Sequence, residues 1–159
     1  VIVTHPNREK AAVQATRAMV ILLLLASAGL VLINTVAGWN VLEGVKAVQI
    51  GYILAYLVLA FFAGRWNRGV LPVASALAVL LAIFALVAGP AWFIHEKAYF
   101  AKPSLSPDLM GLLTLLIVPV QALLVTFAMR GFNQGWNVEL EQHDPSASGD
   151  HSFAAPQPA

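Results

Sequence analysis

The chain of 159 residues contains no cysteine. Disulfides, thiolate metal centres, a lipidated cysteine and quinone-linked thiol redox chemistry are excluded together. Charge is also scarce: Lys, Arg, Asp and Glu make up 11% of the residues, and their formal sum is +1. No basic stretch is dense enough to neutralise a row of phosphates, so no nucleic-acid partner is expected. A third absence bears on mechanism. No Asp, Glu, Lys, Arg or His lies in the middle of any long apolar run. Proton relays, exporters of the four-span multidrug type and haem-carrying helical cytochromes all need such groups inside their helices.

What the chain has in quantity is oil. Apolar residues make up 59% of it and the mean hydropathy is +0.76, too apolar for a soluble domain of this size. Four runs, 19–37, 45–64, 71–89 and 109–129, approach the roughly 20 residues that carry a helix across a hydrocarbon core of about 30 Å. The first holds six Leu, two Ile and three Val between Met19 and Val36. Each contributes about −0.3 to −0.6 kcal/mol at a helix centre, so insertion is favoured by several kcal/mol. The second run is the weakest, because Lys46 and Gln49 stand in its first turn; Lys46 reaches the headgroups along its own methylenes. The stretch "LLLLASAG" also reads as a signal-peptide cleavage region, but the apolar run continues through Ile33, past any cut near Ala28.

Basic residues orient the spans. Arg8, Lys10, Arg17, Arg65, Arg68 and Arg130 fall on one side of a four-span layout, and Lys46, Lys97 and Lys102 on the other. The excess predicts both termini in the cytoplasm and residence in a cell membrane. Val1 in place of Met reads as a GUG start or a trimmed chain and hints at a prokaryotic origin. Trp39, Trp66, Trp92 and Trp136 each follow an apolar run, where indole favours the headgroup level, so these four with Arg65 and Arg68 are expected interface anchors. Gly38, Gly64, Gly89 and Gly131 precede them, as left-handed helix ends would require. Asn40, Asn67 and Asn137 follow the first, second and fourth tryptophans as turn residues.

Outside the spans, 1–18 reads as an N-terminal segment, 19–130 as the helical domain and 131–159 as a tail, mostly disordered beyond 141 because it lacks any periodicity. The segment "GFNQGWNVELE" has the apolar content of a short interfacial piece. The loop 90–108 is the longest between spans, and Ser106-Pro107-Asp108 is a helix start signal. His95-Glu96 in that loop lacks the second His, four residues on, that a zinc protease helix needs; Tyr99 stands there instead. No metal site, cofactor or catalytic residue is expected.

Neutral polar groups inside the runs are therefore the candidate site residues: Asn34, Gln49, Thr114 and Gln121, as helix contacts or as a polar pocket. Pro119 beside Gln121 predicts a kinked fourth helix. Gly51 and Ala55, with Ala78 and Ala82, follow the small-xxx-small spacing of close helix packing. The expected fold is all-α, an up-down bundle of four transmembrane helices. The expected role is a non-enzymatic accessory or assembly subunit, associating with other membrane proteins or with itself. The alternative is a facilitator or binding protein for a small neutral or lipidic molecule within the bundle.

Overall fold

The computed structural model describes residues 2–94 and 103–142. Its frame is four helices, α1 (Ala11–Ala37), α2 (Lys46–Gly64), α3 (Val70–Phe93) and α4 (Pro107–Asn133), each long and apolar enough to cross a membrane. Two three-residue strands, β1 (Ile2–Thr4) and β2 (Leu140–Gln142), pair antiparallel with Ile2 opposite Gln142 and Thr4 opposite Leu140. This ladder ties the segment before α1 to the segment after α4. Neither strand is long enough to show an alternating pattern, so nothing in the sequence announced it.

Consecutive helices run antiparallel, as side-chain contacts at their ends establish. Arg17 near the start of α1 donates to the Gly64 carbonyl at the end of α2, and Gln134 just after α4 donates to the Thr16 hydroxyl. At the opposite end, Thr114 of α4 meets Asn34 of α1. The termini and the 65–69 turn therefore share one end, the terminal end. The 38–45 loop and the approach to α4 share the other, the loop end. α3 packs most closely on α4, and α1 packs on both α2 and α4, whereas α2 and α3 barely touch.

Three of the helices extend past the apolar runs that announced them. α1 begins at Ala11, eight residues before Met19, because a nucleated helix propagates cheaply and its first turns find partners: Thr16 is buried and Arg17 is held by Gly64. α3 continues through Pro90 to Phe93. Proline there forfeits one backbone hydrogen bond, and burial of Trp92 offsets the loss. α4 runs unbroken from Pro107 through Pro119 to Asn133, started by Ser106, whose hydroxyl accepts from the Leu109 amide, with Pro107 in the first turn.

The glycine expectation is corrected. Among the described residues, positive φ occurs only at Trp66 and Gly135, so Gly38, Gly64, Gly89 and Gly131 are not left-handed ends. Trp66 takes that role after α2, with the Asn67 amide bonded to the Phe62 carbonyl and the Trp66 amide to the Ala63 carbonyl. The glycines serve packing instead. A Cβ on Gly89 would stand 2.5 Å from Leu115, one on Gly111 2.7 Å from Phe93 and one on Gly131 2.9 Å from Trp136. These three bare positions bring α3, α4 and the chain after α4 close together. His95, Glu96, Lys97, Tyr99 and Lys102, and the tail beyond Gln142, lie outside the described residues.

Candidate functional site

Close packing of α3 on α4, with α2 held away from α3, leaves a cavity of about 640 Å³ at the loop end. Its walls come from all four helices: Val31 and Asn34 of α1, Val48, Gln49 and Tyr52 of α2, α3 from Leu81 to Trp92, and Thr114 and Ile117 of α4. Leu42, Trp92 and Met110 close it toward the loops, packed in one cluster with Ala37. Leu42 folds back over Gly38, where a Cβ would meet its Cδ1 at 2.6 Å. The lining is aliphatic and aromatic, and among the described lining residues none is charged.

Polar groups enter at one level. The Thr114 hydroxyl lies 3.1 Å from Asn34 Oδ1 and 2.7 Å from the Met110 carbonyl, and Asn34 Nδ2 donates to the Leu30 carbonyl at 3.0 Å. Asn34 thus spends one donor and one acceptor inside the helices and keeps the remainder of its amide capacity. Gln49 differs. Its Oε1 is buried and has no hydrogen-bond partner among the described residues. An amide left unpaired beside an apolar space is costly unless something fills that space.

The floor of the cavity is a second polar group. Gln121 Nε2 donates to the Ser27 hydroxyl at 2.9 Å, and the Tyr56 hydroxyl donates to Gln121 Oε1 at 2.8 Å. Ser27 in turn donates to the Leu23 carbonyl at 2.7 Å. Each member stands four residues from a cavity residue on its own helix: Tyr56 from Tyr52, Gln121 from Ile117 and Ser27 from Val31. One helical turn therefore separates the network from the cavity on three helices at once. The chain Tyr56, Gln121, Ser27 ends on the Leu23 carbonyl, and it ties α2, α4 and α1 together below the open space.

Of the residues singled out in the sequence, Asn34, Gln49 and Thr114 are brought together, and Gln121 is not among them: it is wholly buried in the floor. Ala78 is wholly buried in the core and Ala82 half-buried on the same helix. Gly51 and Ala55 line a shallow groove of about 210 Å³ with Val48, Tyr52 and Leu77. Trp39 is exposed, with the Lys46 ammonium 4.6 Å from its ring. Trp92 and Trp136, by contrast, are 2% and 0% exposed, so both indoles are core residues here. Trp66 is half-buried under Arg17, and Arg68 lies over Phe132 at 4.1 Å, while Arg65 stays exposed beside Phe61. Tyr52, Tyr56 and Phe84 were missed. The available signal was a pair of tyrosines four apart in an otherwise aliphatic helix, each with a hydroxyl that has to be accommodated.

Compared with known proteins, the chain matches no family model, and no curated protein and no solved structure resembles it. Among the described residues no cluster of His, Asp or Glu could hold a metal ion.

Proposed function

We propose that the protein is an integral membrane protein, without catalytic activity, that holds one small neutral or lipidic molecule inside its helix bundle. The observation that carries this reading is the 640 Å³ cavity with the Gln49 amide oxygen, unpartnered among the described residues, in its wall. Ligand sites are concave, mostly apolar spaces of roughly 300–1,000 Å³ with a few convergent polar groups, and this cavity has that composition. The distribution of Lys and Arg supports a topology with both termini in the cytoplasm, in the cell membrane of a bacterium. In that topology the cavity lies in the outer half of the bilayer. The assembly-subunit role is the second reading. It is favoured by Gly51, where open space surrounds the bare backbone of α2 and leaves room for a helix from another chain.

The test is native mass spectrometry of the full chain purified from membranes in mild detergent. A single small-molecule adduct is expected on the wild type and its loss on Ala88→Trp, which fills the cavity. Wild-type protein that carries no adduct and takes up none from added neutral lipids overturns the binding reading.

A further inference from the structure

The polar and apolar parts of the cavity are arranged along the bundle, and that order specifies the ligand further. We infer that the occupant is a neutral single-chain amphiphile with a hydroxyl head, taken up sideways from the surrounding lipid through the gap between α2 and α3; this rests on the binding reading above.

The head group follows from the lining. Asn34, Gln49 and Thr114 are all neutral, and no charged side chain stands among the described lining residues. A phosphate or carboxylate head would be buried without a counter-charge, which is prohibitive in such a site. A plain hydrocarbon would leave the Gln49 amide unpaired. A hydroxyl both donates and accepts, so it pairs with that amide whichever way the amide is turned.

Depth gives the same answer. Gln49 is the fourth residue of α2, and Asn34 lies three before the end of α1, so the polar level is about one turn, roughly 5 Å, inside the helix ends. That is close to the headgroup level, where the hydroxyl of a bilayer amphiphile already resides. From there the cavity descends between Val31, Tyr52, Leu81, Phe84 and Ile117 to the Tyr56–Gln121–Ser27 floor. A chain in the outer leaflet therefore enters without turning over, its head near Gln49 and its tail toward the floor.

The route follows from the packing. The loop end is closed by Leu42, Trp92 and Met110, and the opposite end by the floor. The side between α2 and α3 is where the helices barely touch. Here the 210 Å³ groove shares Val48 and Tyr52 with the main cavity, so the two spaces adjoin. Across the gap stands one edge-to-face aromatic pair, Tyr52 and Phe84, with ring centroids 6.5 Å apart. The cavity is already open beside this pair, where Val48, Ile83, Phe84 and Val87 of its lining are exposed, so entry needs no helix displaced. Gly51 and Ala55 keep the approach to it low.

The experiment places the full chain in phosphatidylcholine vesicles with one of three photoactivatable probes: a long-chain alcohol, the matched alkane and the matched carboxylic acid. Labelled positions are read by peptide mass spectrometry at intervals after mixing. The alcohol is expected on the cavity stretch Leu81 to Trp92 at about tenfold the yield of either analogue, the factor one hydrogen bond supplies. Gln49→Leu should level the alcohol with the alkane. Gly51→Trp, which fills the groove and leaves the cavity lining intact, should slow labelling by the alcohol about tenfold while the final extent is unchanged. Ala55→Phe is the second variant, and thermal unfolding reports whether each retains the fold. Equal cavity labelling by all three probes overturns the hydroxyl assignment but upholds binding. Unchanged rates in both groove variants overturn the lateral route. Absence of cavity labelling by every probe overturns the binding reading itself.

Discussion

The two ends of the bundle are built from the same four helices, yet one is filled and the other is hollow. At the terminal end, Trp66 and Trp136 meet edge to face at 5.6 Å, with the Arg17 guanidinium 4.3 Å and the Arg8 guanidinium 5.5 Å from the Trp66 ring centroid. Arg8 also donates to the Trp136 carbonyl and to Asn137, Asn7 donates to the Gly135 carbonyl, and the β1–β2 ladder lies beside them. At the loop end the described residues leave a cavity of about 640 Å³, and among them the Gln49 amide oxygen in its wall has no partner. The difference teaches that this chain can close a bundle end with aromatic and cationic side chains. Where it leaves one open, the polar groups that remain in the wall are neutral.

The contrast can be broken most severely at Trp136. Trp136→Ala removes a wholly buried indole from the filled end, and an unfolding titration in mixed micelles should show a loss of about 3–5 kcal/mol. A paired substitution sharpens it. Ala78→Leu in the close-packed core should cost about 1–3 kcal/mol by overpacking. Ala88→Leu projects into the cavity and should cost nothing measurable in the same titration; an equal loss in both would mean that the hollow end is not hollow. At Trp66 the backbone is strained, with φ at 61°. Trp66→Ala and Trp66→Gly lose the same indole, but only Ala retains the strain, so Gly should be the more stable by about 1 kcal/mol. The smallest effect concerns the floor. A double-mutant cycle of Tyr56→Phe and Gln121→Leu should give a coupling energy of about 0.6–1.7 kcal/mol, the range of interhelical hydrogen bonds in lipid. Coupling indistinguishable from zero would remove the floor as a structural unit.

The helices were legible because their signal is local. Four long apolar runs and the Ser106-Pro107 start are properties of consecutive residues, and α4 begins where they placed it. Asn34, Gln49 and Thr114 were legible as candidates for the same reason: a neutral polar residue in an apolar run stands out whatever surrounds it. Their convergence was not, since it depends on how three helices are rotated about their axes. Gln121 has the same chemistry as Gln49 and was grouped with it, yet one lies in a satisfied network and the other in an unsatisfied wall. Trp92 and Trp136 show the limit from another side. Position after an apolar run predicted exposure at an interface, and Gly131 and Met110 instead provide the partners that bury them. The left-handed turn fell on Trp66 and not on a glycine because two cations and a second indole hold it there, all of them distant in sequence.

By itself the sequence determined four helices, the apolar character of their outer faces and the shortage of charge between them. These follow from residue type and spacing along one chain, with hydrophobic length as the cause. Tertiary structure decided which end is filled, which amides are paired and where the helices part. Those outcomes depend on packing between residues far apart in the chain, as in the bonds from Gln121 to Ser27, 94 positions away, and from Arg8 to Trp136, 128 positions away. No local pattern encodes the rotation and separation of helices on which such contacts depend.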